Sequence, residues 1–203
     1  MTPKRNYQLE MEQVLREHPH PHILLHACCA PCSSACLERL APDARLTLFF
    51  YNPNILPQSE YDYRLQELQR LVREMPLPQE IPVIAGDYEP ERFLAFAADM
   101  ADEPERGARC QKCIRLRLTQ AALAAKAQGA DYFATTLTLS PHKDAVFINA
   151  CGEETAQQFG IRYLPTDFKK KDGYKRSIEL SAQYALYRQN FCGCPFSRRE
   201  EVG

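Results

Sequence analysis

No stretch of this 203-residue chain approaches the ~18 consecutive apolar residues a helix needs to cross a bilayer. The amino-terminal MTPKRNYQLEMEQVLREHPHPH also lacks the apolar segment of a secretory leader, so a cytoplasmic location without a membrane partner is expected. Net charge is almost absent. With 25 Lys and Arg against 26 Asp and Glu, the molecule as a whole has no basic signature. Internal repeats, low-complexity tracts and interdomain linkers are missing too. At 45% hydrophobic and 25% charged residues, the chain reads as one soluble globular unit able to bury a full core.

What is present first is an alternation of two patterns. Short apolar or β-rich runs bounded by Pro, Gly or Asp mark strands at His22–Ala27, Leu46–Tyr51, Ile81–Ala85, Tyr132–Leu137 and Ile161–Leu164. Between them lie helical patterns at Gln58–Met75, Glu91–Met100, Cys113–Gln128, Asp144–Phe159 and Ser177–Asn190, with a further helix opening near Ser33 or Ser34. Strands alternating with helices imply βαβ units and a parallel α/β sheet flanked by helices in a single domain. Residues 1–21 are expected to be a helical extension, and residues 22–203 the α/β domain. Ligands of such sheets bind beyond the carboxyl ends of the strands, which places the site at that edge.

The second feature is cysteine. Seven of the nine fall in three tight groups: Cys28, Cys29 and Cys32; Cys110 and Cys113; Cys192 and Cys194. In a reducing compartment such grouping points to metal binding or redox chemistry rather than structural disulfides. Three readings compete. Buried core cysteines fit Cys36 and Cys151, which stand apart, but not the groups. Structural zinc is suggested by the two CxxC pairs, yet 77 residues separate Cys32 from Cys110, far more than in a zinc ribbon. An iron–sulfur cluster is favoured by the adjacent Cys28 and Cys29, whose side chains would point apart in extended chain and suit different irons better than one tetrahedral ion. Cys110 and Cys113, at i and i+3, share one face of a helix start. The Cys192-Gly193-Cys194 loop suits a redox-active disulfide or extra metal ligands.

Charge is uneven despite its near-zero sum. Between Arg162 and Arg199 nine cationic residues face three acidic ones. Lys169, Lys170, Lys171, Lys175 and Arg176 surround Tyr174, a combination suited to phosphates and a stacked, unpaired base. Asn52 and Asn54, either side of Pro53, are candidates for hydrogen bonds to a substrate or for capping a turn.

Five motifs in order, HACCAPCS (26–33), YNPNILPQSEYDYRL (51–65), RCQKCIRLRL (109–118), DYFATTLTLSPHKD (131–144) and DFKKKDGYKRSIELSAQYALYRQNFCGCPFS (167–197), resemble the cobalamin-independent, iron–sulfur epoxyqueuosine reductases (the QueH family). The resemblance runs from about His22 to Ser197. It implies reductive removal of the epoxide oxygen of epoxyqueuosine in a tRNA anticodon, the last step of queuosine synthesis. It also implies an adenine-nucleotide-hydrolase-like (HUP) α/β fold, with cysteines where that fold usually places a phosphate-cradling turn. By resemblance Cys28, Cys29, Cys110 and Cys113 are the favoured metal-site residues for a [4Fe–4S] cluster, and Cys32 is a candidate ligand for an additional mononuclear iron beside it; spacing alone does not apportion the cysteines between the two. The reaction then needs electrons from an external donor and a proton donor, for which Tyr61, His142 and Lys143 are candidates. Two other classes remain: a zinc-stabilised RNA-binding protein, and a thiol–disulfide oxidoreductase using Cys192 and Cys194. No partner protein is identifiable from the sequence.

Overall fold

Strand β1 (His22–His26) is buried along its whole length, as a central strand covered on both faces must be. In this computed structural model, which describes residues 5–197, β1 pairs in parallel with β2 (Arg45–Phe50) on one side and with β4 (Tyr132–Thr135) on the other. Strands β3 (Val83–Ala85) and β5 (Arg162–Tyr163) complete a five-stranded sheet of order β3-β2-β1-β4-β5. Successive side chains leave opposite faces, so Ile23 and Leu25 join one core layer while Leu24 joins the other. The first layer contains α1 (Tyr7–Glu17), α2 (Ala30–Leu40), α3 (Gln58–Glu74) and α7 (Gly173–Gln183), contributing Met11, Leu37, Leu68 and Leu180. The second contains α5 (Ala108–Ala127) and α6 (Ala145–Phe159), contributing Leu118 and Ile148. Helix α4 (Pro90–Ala97) packs by Phe93 and Ala97 on a smaller cluster with Cys113 and Cys194. Among the described residues no helix is long and apolar enough to cross a membrane.

The α/β alternation expected from the sequence is present, with shifted boundaries whose causes are local. Helix α6 matches the pattern: the Asp144 side chain accepts from the Val146 and Phe147 amides, and Gly160 stops the helix with φ 64°. Helix α2 begins at Ala30, earlier than Ser33, because Pro31 sits in a first turn where it forfeits no hydrogen bond. Helix α5 begins at Ala108 rather than Cys113, since the Glu103 carboxylate accepts from the Ala108 amide. Strand β4 ends at Thr135, and residues 136–139 form a 3-10 turn, because Thr135 Oγ1 accepts the Leu137 amide.

The largest correction concerns α7. It spans Gly173–Gln183, not Ser177–Asn190. Lys171 and Asp172 adopt left-handed backbone that launches it early, and Ala185 at φ 47° ends it. The Tyr184 and Ala185 carbonyls then accept from Arg70. Consequently Tyr174, Lys175 and Arg176 lie on the first turn of a helix, and residues 184–194 run as irregular chain toward the site. Residues 1–4 and 198–203, including the basic Arg198 and Arg199, lie outside the described chain.

Gly173 starts α7 where a Cβ would collide with the Phe168 carbonyl oxygen, backbone that cannot swing aside. Gly173→Ala is therefore expected to lower stability by about 1–3 kcal/mol, read as a lower urea midpoint. An unchanged midpoint would contradict this packing.

Candidate metal centre and cavity

Order β3-β2-β1-β4-β5 makes the gap between the ends of β1 and β4 a topological switch point, where chains leave toward opposite sides. The chain bends at Cys28 and enters α2 with Cys29 as its N-cap residue. The Cys28 amide donates to Thr136 Oγ1 at 3.2 Å, tying this turn to the one after β4. Cys28, Cys29 and Cys32 thereby bring their sulfurs within 4.8 Å of one another. The sulfurs of Cys28 and Cys29 lie 3.8 Å apart. Extended chain would have separated them, and the bend overrides that expectation.

Thiol hydrogen bonds from Cys29 and Cys32 hold Cys28 well below the usual thiol range, aided by Arg117 and Thr136. The complementary interaction pushes Cys29 up to about 12 and Cys32 upward as well. The trio is thus a soft sulfur set, with Cys28 the thiol most readily ionised, suited to zinc or to iron–sulfur chemistry. Cys36 accepts no such role: burial raises its thiol, which donates to the Cys32 carbonyl from the core. Cys151 is likewise a core residue.

The trio opens on a cavity of about 270 Å³. His142 and Lys143 line it from the loop before α6, Tyr174 from α7, and Cys192 from the irregular chain that follows. Cys192 is placed there by three contacts: its carbonyl accepts from Asn54 Nδ2 at 3.2 Å, the Gly193 carbonyl accepts from the Leu56 amide at 3.1 Å, and Ser197 Oγ lies 3.1 Å from its sulfur. Gly193 is required, since at φ 98° an added Cβ would stand 2.6 Å from Ile55. The Cys194 thiol, followed by the Lys143 charge, holds Cys192 well below the usual thiol range. All nine cysteines are unbridged, Cys192 and Cys194 included.

Cys110 and Cys113 sit on the first two turns of α5, with Cys113 packed against Cys194. They are neither within the trio's group nor among the cavity-lining residues. They do act on its wall. Burial opposes charge on Lys143, but Cys192, Cys110 and Cys113 outweigh it and hold the ammonium above its ordinary range.

Several other candidate residues stand elsewhere. Tyr61 is buried against Phe50 and Tyr88, with its hydroxyl given to the Phe50 and Gly86 carbonyls, and does not line the cavity. Asn52 and Asn54 do not line it either; each is 1% exposed and occupied by protein groups. Asn52 bridges the Ala27 carbonyl and Arg117, while Asn54 holds Cys192. In the basic segment, Lys171 pairs with Glu12, Arg176 with Glu38 and Glu179, and Lys169 with Asp167. Lys170 and Lys175 form no ion pair among the described residues, and Tyr174 faces the cavity.

The sequence reading missed three arginines, Arg64, Arg117 and Arg188, which line the cavity. For Arg117 a signal existed: it follows Cys113 by four positions and so shares its helix face. Arg64 is 2% exposed, pairs with Glu60 and lies over the Phe191 ring. With Lys143 these groups make the wall electropositive, the environment that keeps thiolates ionised and attracts phosphates.

Comparison with known proteins gives the family. A family model described as "Epoxyqueuosine reductase QueH" matches residues 23–200. A protein of that name from Staphylococcus epidermidis is 40% identical over 98% of this chain and 87% of its own length. One from Streptococcus pyogenes is 39% identical over 97% of this chain and 79% of its own length. One from Thermotoga maritima is 34% identical over 88% of this chain and 93% of its own length. With a cysteine trio at the switch point, a cationic cavity before it, and matches over most of its length, this chain belongs to the epoxyqueuosine reductase QueH family.

Proposed function

We infer that the chain is an oxidoreductase that removes the epoxide oxygen of epoxyqueuosine in a tRNA anticodon, giving queuosine and water. The reaction takes two electrons and two protons and breaks both carbon–oxygen bonds of the epoxide. Family membership supports the reaction. The observation that carries the chemistry is the convergence of Cys28, Cys29 and Cys32 on a cavity of about 270 Å³ that Lys143, Arg117 and Arg188 also line. The donor set fits a resident metal centre, because it gathers soft, partly ionised sulfur beside buried cationic groups. Cys28, Cys29, Cys110 and Cys113 would hold a [4Fe–4S] cluster, with Cys32 available to an additional mononuclear iron. When bound, such a centre would supply electrons and Lewis acidity toward the epoxide oxygen. An external donor in the cytoplasm replenishes the electrons. Cys192 and Cys194 form the redox pair that passes them inward.

The chain's own groups orient and protonate. Lys143 Nζ stabilises the departing oxygen, and the imidazole of His142, at the exposed rim, delivers a proton. Tyr61 has no part in this, since its hydroxyl is spent on the sheet. Tyr174 stacks on a base, while Lys170 and Lys175 meet tRNA phosphates. Lys169, Lys171 and Arg176 reach the tRNA only at the expense of their ion pairs.

Anaerobically purified protein should contain about four iron and four sulfide per chain, or one iron more, with a broad visible band. Cys28→Ala and Cys110→Ala should abolish cluster and turnover, and Cys36→Ala neither; full activity in either of the first two would overturn the ligand assignment. Zinc without a chromophore, even after anaerobic reconstitution, would favour a structural zinc module instead. Lys143→Met or His142→Ala should lower kcat by about 10²–10⁴ with iron content unchanged. Tyr61→Phe should stay within about threefold of the parent rate, losing only about 0.5–1.5 kcal/mol of stability. For tRNA binding, Lys170→Glu and Lys175→Glu should each weaken affinity and lower the salt slope by about one. Equal slopes in parent and variants would remove these lysines from the interface.

A further inference from the structure

Arg117 is a buried cation whose neighbours do not neutralise it. It is 4% exposed, on the α5 face that carries Cys113. Its Nη2 donates to Asn52 Oδ1 at 2.5 Å, and its Nε approaches His26 Nε2 at 3.4 Å. Neither partner carries negative charge. Among the described residues Arg117 forms no ion pair with a carboxylate, unlike Arg64, which has Glu60. A guanidinium cannot shed its proton, and an uncompensated buried charge costs several kcal/mol by order of magnitude. Arg117 lines the same cavity as Cys28, Cys29 and Cys32, whose sulfurs lie within 4.8 Å of one another, and it follows Cys113 by four positions on α5. It is therefore a fixed cation placed beside two cysteine groups that come from different elements, one after β1 and one on α5.

We propose that Arg117, clamped by Asn52, is the fixed counter-charge of the sulfur centre and sets the reduction potential of the iron–sulfur cluster held there. The inference rests on the cluster reading above. Uptake of one electron makes the cluster and its thiolates more negative by one charge. A positive charge held nearby in a poorly solvated site favours that reduced form. Arg117 thus acts as a positioning residue with an electrostatic role, while Asn52, not itself at the cavity, fixes where the charge sits.

The test is an anaerobic redox titration of the reconstituted protein, followed by visible bleaching and electron paramagnetic resonance, with iron, sulfide and melting temperature measured alongside. Arg117→Gln should move the midpoint potential in the negative direction, and Arg117→Lys, which keeps the charge, should stay closer to the parent. Asn52→Asp leaves the arginine in place but sets a carboxylate against it, so it should also shift the potential negatively. This variant keeps the proposal testable if Arg117→Gln fails to fold. Potentials that ignore both positions would overturn the proposal alone, as would equal shifts in Arg117→Gln and Arg117→Lys. A parent protein with no iron–sulfur chromophore would overturn the cofactor reading and this inference together.

Discussion

The hydrogen bond from the Cys28 amide to Thr136 Oγ1 joins the two turns that leave the sheet in opposite directions. It lies just beyond the last ladder pair of β1 and β4, His26 opposite Thr135, where the two chains begin to diverge. With it, Cys28 bends out of line and its sulfur meets those of Cys29 and Cys32. Beneath it, His26 Nδ1 and Thr135 Oγ1 make the same connection at 2.9 Å one residue inside the sheet. Burial, with Arg117 beside it, pushes His26 down to about 3, and its two ring nitrogens are taken by Thr135 Oγ1 and the Tyr51 carbonyl, so the imidazole is a strut of the sheet. Two successive cross-strand contacts thus hold the floor of the cavity rigid.

A second tier of polar groups works from behind this floor. Asn52 reaches the Ala27 carbonyl with one end of its amide and Arg117 with the other, coupling the ends of β1 and β2 to α5. Tyr51, which precedes it, gives its hydroxyl to Glu89, and Glu89 also pairs with Arg92. Asn52 does not line the cavity, yet it fixes where the Arg117 charge stands. Buried polar networks of this kind specify position when every member finds a partner.

The far wall is the irregular chain after α7, held by contacts to its two ends. Arg70 and Glu67 hold its beginning, through the Tyr184 and Ala185 carbonyls and the Tyr187 amide. Near its end, Arg109 spans the Met100 and Ala101 carbonyls and lies over the Phe196 ring. Arg109 is adjacent to Cys110, so one α5 turn both carries the second cysteine pair and anchors the wall bearing Cys192.

Much of this was legible in the chain itself. Short apolar runs alternating with helical stripes determine a parallel α/β sheet, because only flanking helices can cover both faces. Cysteine grouping marked the site, and the Asp144 cap and Gly160 stop bounded α6 through contacts within a few residues. What the tertiary structure alone decided are the pairings between distant segments. Lys171 and Arg176 are paired with Glu12 and Glu38, far away in sequence. Tyr61, Asn52 and Asn54, chemically able to serve a substrate, are taken up by backbone groups and by Arg117. Arg117 itself, one cation among many along the chain, became distinctive only when folding buried it without an acid. Local pattern dictates which elements form, since their hydrogen bonds and periodicity are local. Which polar groups remain free to do chemistry depends on what packs against them, and that is known only once the elements have met.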